Sequence, residues 1–144
     1  MRIYLDLCAI QRPLDDLSQL RVRAEAEVVL GLIALAEAGT VTLVASGVHR
    51  VEDRKSPFPD RRAFVSDVLG LAEYAPSMPA VLARARLYES AGMSPMDALH
   101  LASAVEATVD YFVTTDDRLL RKARTVDVMR TSTVSPLELV ALLP

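Results

Sequence analysis

Residues 94–121 read S-P-M-D-A-L-H-L-A-S-A-V-E-A-T-V-D-Y-F-V-T-T-D-D-R-L-L-R, and their reading decides the fold. Ser94 and Pro95 open a helix. A hydroxyl followed by Pro at the first helical position, with an acid three residues on, satisfies backbone N–H groups that have no partner inside the helix. A run of β-formers, Tyr111-Phe-Val-Thr-Thr115, comes next. Asp116-Asp117 then opens a second helix carrying Leu119 and Leu120. Each helix opening holds a carboxylate, Asp97 in the first and Asp116 in the second. Two acids at the mouths of two helices joined by a strand suggest a metal or phosphate site.

Downstream, residues 126–130 (V-D-V-M-R) are expected to form the last strand, and Ser135-Pro136-Leu137-Glu138 opens a terminal helix with a capping box. Upstream, a helix over 80–90 presents Val81, Ala85 and Tyr88 on one face, and Gly92 closes it. Pro76 and Pro79 break the chain before it. Asp60 caps a helix over 61–73 with Phe64, Val68 and Leu71 inward, after breaks at Pro57 and Pro59. Residues 40–45 (T-V-T-L-V-A) are a second strand, and Ser46 caps a short helix running to about Lys55. On that helix the spacing puts Val48, Val51 and Glu52 inward and His49 at the surface. The clearest helix spans 20–38, where Val22, Ala26, Val29, Ile33 and Ala36 recur at steps of four and three; Gly39 stops it. Residues 11–19 read as a loop. Residues 2–6 read as a strand covered on both faces, ended by Asp6.

Strands alternating with helices define a three-layer α/β/α domain around a mainly parallel sheet. The 144 residues fit one such domain, 1–144, and no repeat or linker divides them. A 51% apolar composition supports a real core, and 24% charged residues is ordinary for a globular protein. The net charge of −3 excludes a generally basic nucleic-acid binder; contact with nucleic acid would need a local basic patch or a metal bridge. With Cys8 the only cysteine, no disulfide can form within the chain, and Cys8 is expected to be a small buried side chain. The opening M-R-I-Y-L-D-L lacks a signal-peptide pattern, and no apolar run is long enough to span a bilayer. A cytoplasmic location is expected.

In a parallel sheet with helical crossovers, every strand ends along one edge, where ligands bind. Asp6 ends the first strand, Glu52 rides the helix after the second, Asp116 ends the strand 111–115, and Asp97 starts a helix beside them. Like charges so placed raise each other's pKa, and a divalent cation relieves the repulsion. All-oxygen ligands favour Mg²⁺ or Mn²⁺, and no Cys/His grouping points to zinc. Such a cation can activate water for attack on a phosphodiester. Each acid also has a plain structural alternative as a helix cap, a turn residue or an ion-pair partner. The spacings Asp97…His100 and His49…Glu52 match a di-iron helix-bundle pattern, but a bundle needs four long helices and is excluded by the intervening strands. His100 is expected as a partly buried, hydrogen-bonded imidazole beside the site. A phosphorelay receiver is disfavoured: Asp6 stands without an acid pair, and the late strand carries Met129-Arg130 and no Lys.

Three segments carry a family resemblance: G-M-S-P-M-D-A-L-H-L-A-S-A followed by Y-F-V-T-T-D-D-R-L-L, the opening I-Y-L-D-L-C-A-I-Q-R-P, and S-G-V-H-R-V-E. Together, and in this order, they resemble PIN-domain proteins of the VapC-like group of toxin ribonucleases, over almost the whole chain. The resemblance implies a PIN fold and metal-dependent RNA cleavage. The family's acids match Asp6, Glu52, Asp97 and Asp116. Of these, Asp6, Asp97 and Asp116 would hold Mg²⁺ or Mn²⁺ directly, and Glu52 would hold it, a second ion or the attacking water. Ser46 and Thr115 resemble positions that hydrogen-bond the acids, with Asp117 as a cap or an outer ligand. Arg12, Arg50, Arg54 and Lys55 would meet RNA phosphates. A small antitoxin and a homodimer are the implied protein partners. After the first Asp the family commonly has Thr or Ser followed by Asn, Ser or Cys; this chain has Leu7 and Cys8, so Leu7 departs from it and a hydroxyl that could steady Asp6 is missing. This departure supports an alternative, a PIN-like module that binds RNA or a protein without cutting.

Overall fold

The computed structural model describes residues 1–75 and 78–143; the break expected at Pro76 lies outside the described residues. Its core is a parallel sheet. Strand β1 (Arg2–Leu5) pairs on one side with β2 (Thr42–Ala45) and on the other with β4 (Tyr111–Val113). A two-residue strand β3 (Glu73–Tyr74) flanks β2, and β5 (Ser132–Val134) flanks β4, giving the order β3-β2-β1-β4-β5 with every pairing parallel.

Alternation along each strand builds two cores, because successive side chains point to opposite faces. Ile3, Leu5, Leu43 and Val113 face one layer of helices: α1 (Leu7–Gln11), α2 (Leu20–Glu37), α4 (Pro59–Leu69) and α8 (Pro136–Leu142). Tyr4, Val44 and Phe112 face the other: α5 (Pro79–Ser90), α6 (Pro95–Glu106) and α7 (Asp117–Ala123). The three-layer α/β/α arrangement expected from the sequence is therefore present. Helix α3 (Gly47–Asp53) follows β2. Among the described residues no helix is long and apolar enough to cross a membrane.

Several local expectations are corrected. Residues 126–130 form no strand: Asp127 accepts the Met129 N–H through Oδ1, Met129 has φ 55°, and Tyr88 donates to the Asp127 carbonyl. These local bonds make a turn. The strand lies instead in Ser132–Val134, where β-branched residues dominate. The expected loop over 11–19 follows a helical turn, α1, and contains a 3-10 turn at Arg12–Leu14. Helix α4 ends at Leu69, so Leu71 falls beyond it and is exposed. Helix α3 is rotated from its expected orientation: His49 is buried completely, whereas Val51 is 49% exposed. Hydrogen bonds turn it, as the His49 ring joins Ser46 N–H to the Leu5 carbonyl.

Candidate metal centre

Asp6 sits where β1 meets α1, and its carboxylate is 4% exposed. Oδ1 accepts the Leu7 N–H at 2.8 Å, capping α1. Oδ2 accepts the Thr114 hydroxyl at 2.9 Å and the Cys8 thiol at 3.2 Å. Cys8 is thus a polar partner of Asp6, beyond the plain apolar role expected for it. Burial, and then the charge of Asp6, push its thiol pKa well up, so it stays a donor.

The hydroxyl that Leu7 fails to provide comes from the end of β4. Thr114 Oγ1 donates to Asp6 and also accepts the Asp116 N–H at 3.1 Å. One side chain, 108 residues from Asp6 and two from Asp116, thus ties the two acids together. Asp116 caps α7, its Oδ1 accepting the N–H groups of Arg118 and Leu119 at 2.9 and 3.2 Å. The sequence analysis gave this role to Thr115, but the hydrogen bonds to the acids are made by its neighbour. The signal was available: in a strand only one of two adjacent hydroxyls can face Asp6.

Asp97 lies in the first turn of α6, where its N–H donates to Ser94 Oγ at 3.2 Å. Its carboxyl pKa is raised by burial first and then by the charge of Asp6, with further contributions from Asp116 and Glu52. Four acids expected to converge therefore do feel one another at the carboxyl ends of β1 and β4. This is where the strand order reverses direction, the usual place for a ligand crevice.

Glu52, on α3, reaches the same place. Ligand atoms of Asp6, Glu52 and His100 lie within 4.8 Å of one another. His100 stands one turn after Asp97 on α6 and is fully buried; its Nε2 is 3.6 Å from Glu52 Oε2. The imidazole was expected to be partly buried, and the structure makes it part of the closest ligand set. Among the described residues, Arg and Lys make no ion pair with Asp6, Glu52, Asp97 or Asp116.

A buried polar layer underlies the acids. Tyr4 Oη lies 2.8 Å from Ser46 Oγ and 2.7 Å from His100 Nδ1. Ser46, expected to steady an acid, instead caps α3 and meets Tyr4. His49 stacks on Tyr4 with ring centroids 4.6 Å apart. Burial and the neighbouring His100 lower the His49 pKa to about 3, so it is neutral. Tyr4 was readable only as a core residue, although a buried phenol demands a partner.

The remaining expected residues are placed elsewhere. Both oxygens of Asp117 accept from Arg21, at 2.9 and 2.7 Å, away from the acid set. Arg12 gives its guanidinium to Glu25 at 2.7 Å and Asp15 at 3.0 Å, and so is engaged within the fold, not offered to phosphates. Arg50 donates to Tyr74 Oη and lies over its ring. Arg54 and Lys55 are exposed just beyond α3. Lys55 and Glu52 line an open hollow of about 490 Å³ together with Leu7, Gln11, Phe58 and Arg61.

A parallel five-stranded sheet between two helical layers, with acids at the carboxyl ends of its central strands, defines a PIN-like α/β domain. Comparison with solved structures agrees. A chain of VapBC2 from Rickettsia felis, in a complex bound to a DNA fragment from its promoter, matches with a TM-score of 0.57 at 13% identity, covering 92% of this chain and 98% of that one. Identity this low establishes the fold alone. No family model matches the chain, and no curated protein matches it by sequence.

Proposed function

We propose that this protein is a metal-dependent endoribonuclease and the toxin of a toxin–antitoxin pair. The observation that carries the reading is the buried Asp6 facing Glu52, Asp97 and Asp116 with no cationic side chain paired to any of them among the described residues. Evolution normally neutralises or pairs buried charge, so four converging acids held apart from every Arg and Lys imply a cation from outside. The donor set fits Mg²⁺ or Mn²⁺: carboxylate oxygens of Asp6, Glu52, Asp97 and Asp116 would hold the ion. When bound, a divalent cation neutralises the acids and polarises a phosphodiester.

The chain's own residues supply positioning. The Thr114 hydroxyl, the Cys8 thiol and the Leu7 N–H fix the Asp6 carboxylate, and the α7 N–H groups fix Asp116 through Oδ1. Lys55 lines the hollow beside Glu52, and it and the exposed Arg54 before it would meet RNA phosphates, which makes binding salt-sensitive. The likeness to a VapBC2 chain supports an antitoxin partner. An apolar hollow of about 440 Å³ between α2 and α8, lined by Leu32, Leu35, Leu139, Val140 and Leu143, is surface of the kind a protein partner covers. A homodimer and a cytoplasmic setting complete the proposal.

The rival reading, a PIN-like module that binds without cutting, rested on Leu7. Thr114 weakens it, because the Asp6 carboxylate has its hydroxyl donor after all. The deciding experiment is RNA cleavage with Mn²⁺, with EDTA, and by Asp6→Asn and Asp97→Asn. We expect cleavage in Mn²⁺, none in EDTA, and a loss of about 100-fold in each variant. RNA binding that persists in EDTA with no cleavage under any condition would favour the rival.

A further inference from the structure

Among the described residues two buried side-chain atoms lack a hydrogen-bond partner, Asp53 Oδ1 and His100 Nε2, and the second faces the acid set. His100 is fully buried, yet its Nε2 has no hydrogen-bond partner. The nearest acceptor, Glu52 Oε2, is 3.6 Å away, beyond a hydrogen bond. A buried ring nitrogen left unpaired is destabilising, and this one is directed into the space shared with Asp6 and Glu52.

The other side of the ring is fully engaged. Nδ1 lies 2.7 Å from Tyr4 Oη, and Tyr4 Oη lies 2.8 Å from Ser46 Oγ, which also accepts the Val48 N–H. If Nδ1–H donates to Tyr4 and Tyr4 donates to Ser46, every bond in the relay is made and Nε2 is left with a bare lone pair facing the acids. The reverse direction would put a proton on Nε2 with nothing in reach to accept it. A histidine whose far nitrogen donates to an oxygen, with the near nitrogen unprotonated and facing carboxylates, has the arrangement of a metal ligand. His49 cannot take this role, because Leu5 O and Ser46 N–H already use both of its nitrogens.

We propose that His100 Nε2 is a direct ligand of the cation, which makes the centre a mixed nitrogen–oxygen site that selects Mn²⁺ over Mg²⁺. This rests on the reading above that the acid set binds a divalent cation. Mg²⁺ demands oxygen ligands and keeps its waters, whereas Mn²⁺ accepts an imidazole more readily and binds N/O sites more tightly. Tyr4 is the positioning residue that sets the tautomer and ring angle.

The test is pulsed electron paramagnetic resonance of the full chain loaded with Mn²⁺. Wild type is expected to show modulation from a directly bonded ¹⁴N, replaced by the ¹⁵N pattern when the protein is grown on ¹⁵N-histidine. His100→Gln should lose the nitrogen signal and lower Mn²⁺ affinity by about tenfold or more, with a smaller loss for Mg²⁺ in the same calorimetric titration. The labelling arm uses wild type alone, so a variant that fails to fold does not remove the test. Mn²⁺ bound by wild type without nitrogen coupling, or a nitrogen signal surviving in His100→Gln, overturns this inference and leaves the nuclease reading standing. No Mn²⁺ binding at all overturns both.

Discussion

Asp6 and Glu25 are both buried carboxylates, 4% and 0% exposed, and the fold treats them in opposite ways. Glu25 projects from α2 between two guanidinium groups, Arg12 at 2.7 Å and Arg21 at 2.9 Å. Arg21 passes on to Asp117, and Arg12 to Asp15, so a salt-bridge network ties α2 to α7 and to the segment after α1. Asp6 receives only neutral donors, a backbone N–H, a hydroxyl and a thiol, and its charged neighbours are acids. The chain has arginines to spare, yet none pairs with Asp6 among the described residues. Glu25 is neutralised from within the fold; Asp6, left facing other acids, is the one our proposal assigns to a cation.

The contrast predicts unequal mutational costs. Glu25→Ala takes the buried acceptor from both Arg12 and Arg21, which keep Asp15 and Asp117, and should lower the unfolding free energy by about 1–3 kcal/mol, measured by urea denaturation. Asp6→Asn, in EDTA, removes a repelled charge and should cost far less. Equal losses in the two variants would erase the distinction.

The second prediction concerns His49, the buried ring that stacks on Tyr4 and meets His100 edge-on. Burial and His100 lower its pKa from the ordinary 6.5 to about 3. The folded state refuses a proton that the unfolded chain accepts. The contribution of His49 to stability is therefore full above pH 6.5 and lost as pH falls toward 3, at about 1.4 kcal/mol per pH unit within that window. An NMR titration in EDTA should find His49 neutral at pH 6. A protonated ring there would mean that the acid cluster carries its own cation after all.

The smallest effect is expected at Asp97. Its pKa is raised from the ordinary 3.8, so its ionised form weakens the metal-free fold, and the penalty is present at neutral pH. Asp97→Asn should raise the melting temperature in EDTA at pH 7 by a few °C. That gain should fade as pH falls through the raised pKa toward 3.8, where the wild-type carboxyl is itself protonated. In Mn²⁺ the order should invert, because wild type gains stability from the bound ion.

Strands β1, β2 and β4 and three of the acids were legible because those acids fall at boundaries between periodicities, whereas Glu52 lies inside α3 and β5 was expected at 126–130. Asp6 stops an apolar strand, and Asp97 and Asp116 open helices. Residues whose role depends on a distant partner were not legible. Glu25 sits within the stripe Val22–Ala26–Val29, and nothing local shows that Arg12, 13 residues earlier, reaches it. His49 was assigned to the surface because Val48 and Val51 outweigh it in any hydrophobic pattern, yet two hydrogen bonds to Ser46 and Leu5 decide the helix's rotation. Strand β3 has two exposed residues and no pattern of its own; it exists because β2 offers an unpaired edge.

The central position of β1 bears on how the protein is made. Its first neighbour, β2, begins at residue 42, but its second, β4, begins only at residue 111. A ribosome must therefore add most of the chain before the first strand is sandwiched, and contacts of such long sequence range form slowly. Until then Asp6 lacks the Thr114 hydroxyl and Asp116, although Glu52 and Asp97 are already in the chain. A product ending before β4 would lack the strand that pairs with β1, and with it the Thr114 hydroxyl that the Asp6 carboxylate accepts.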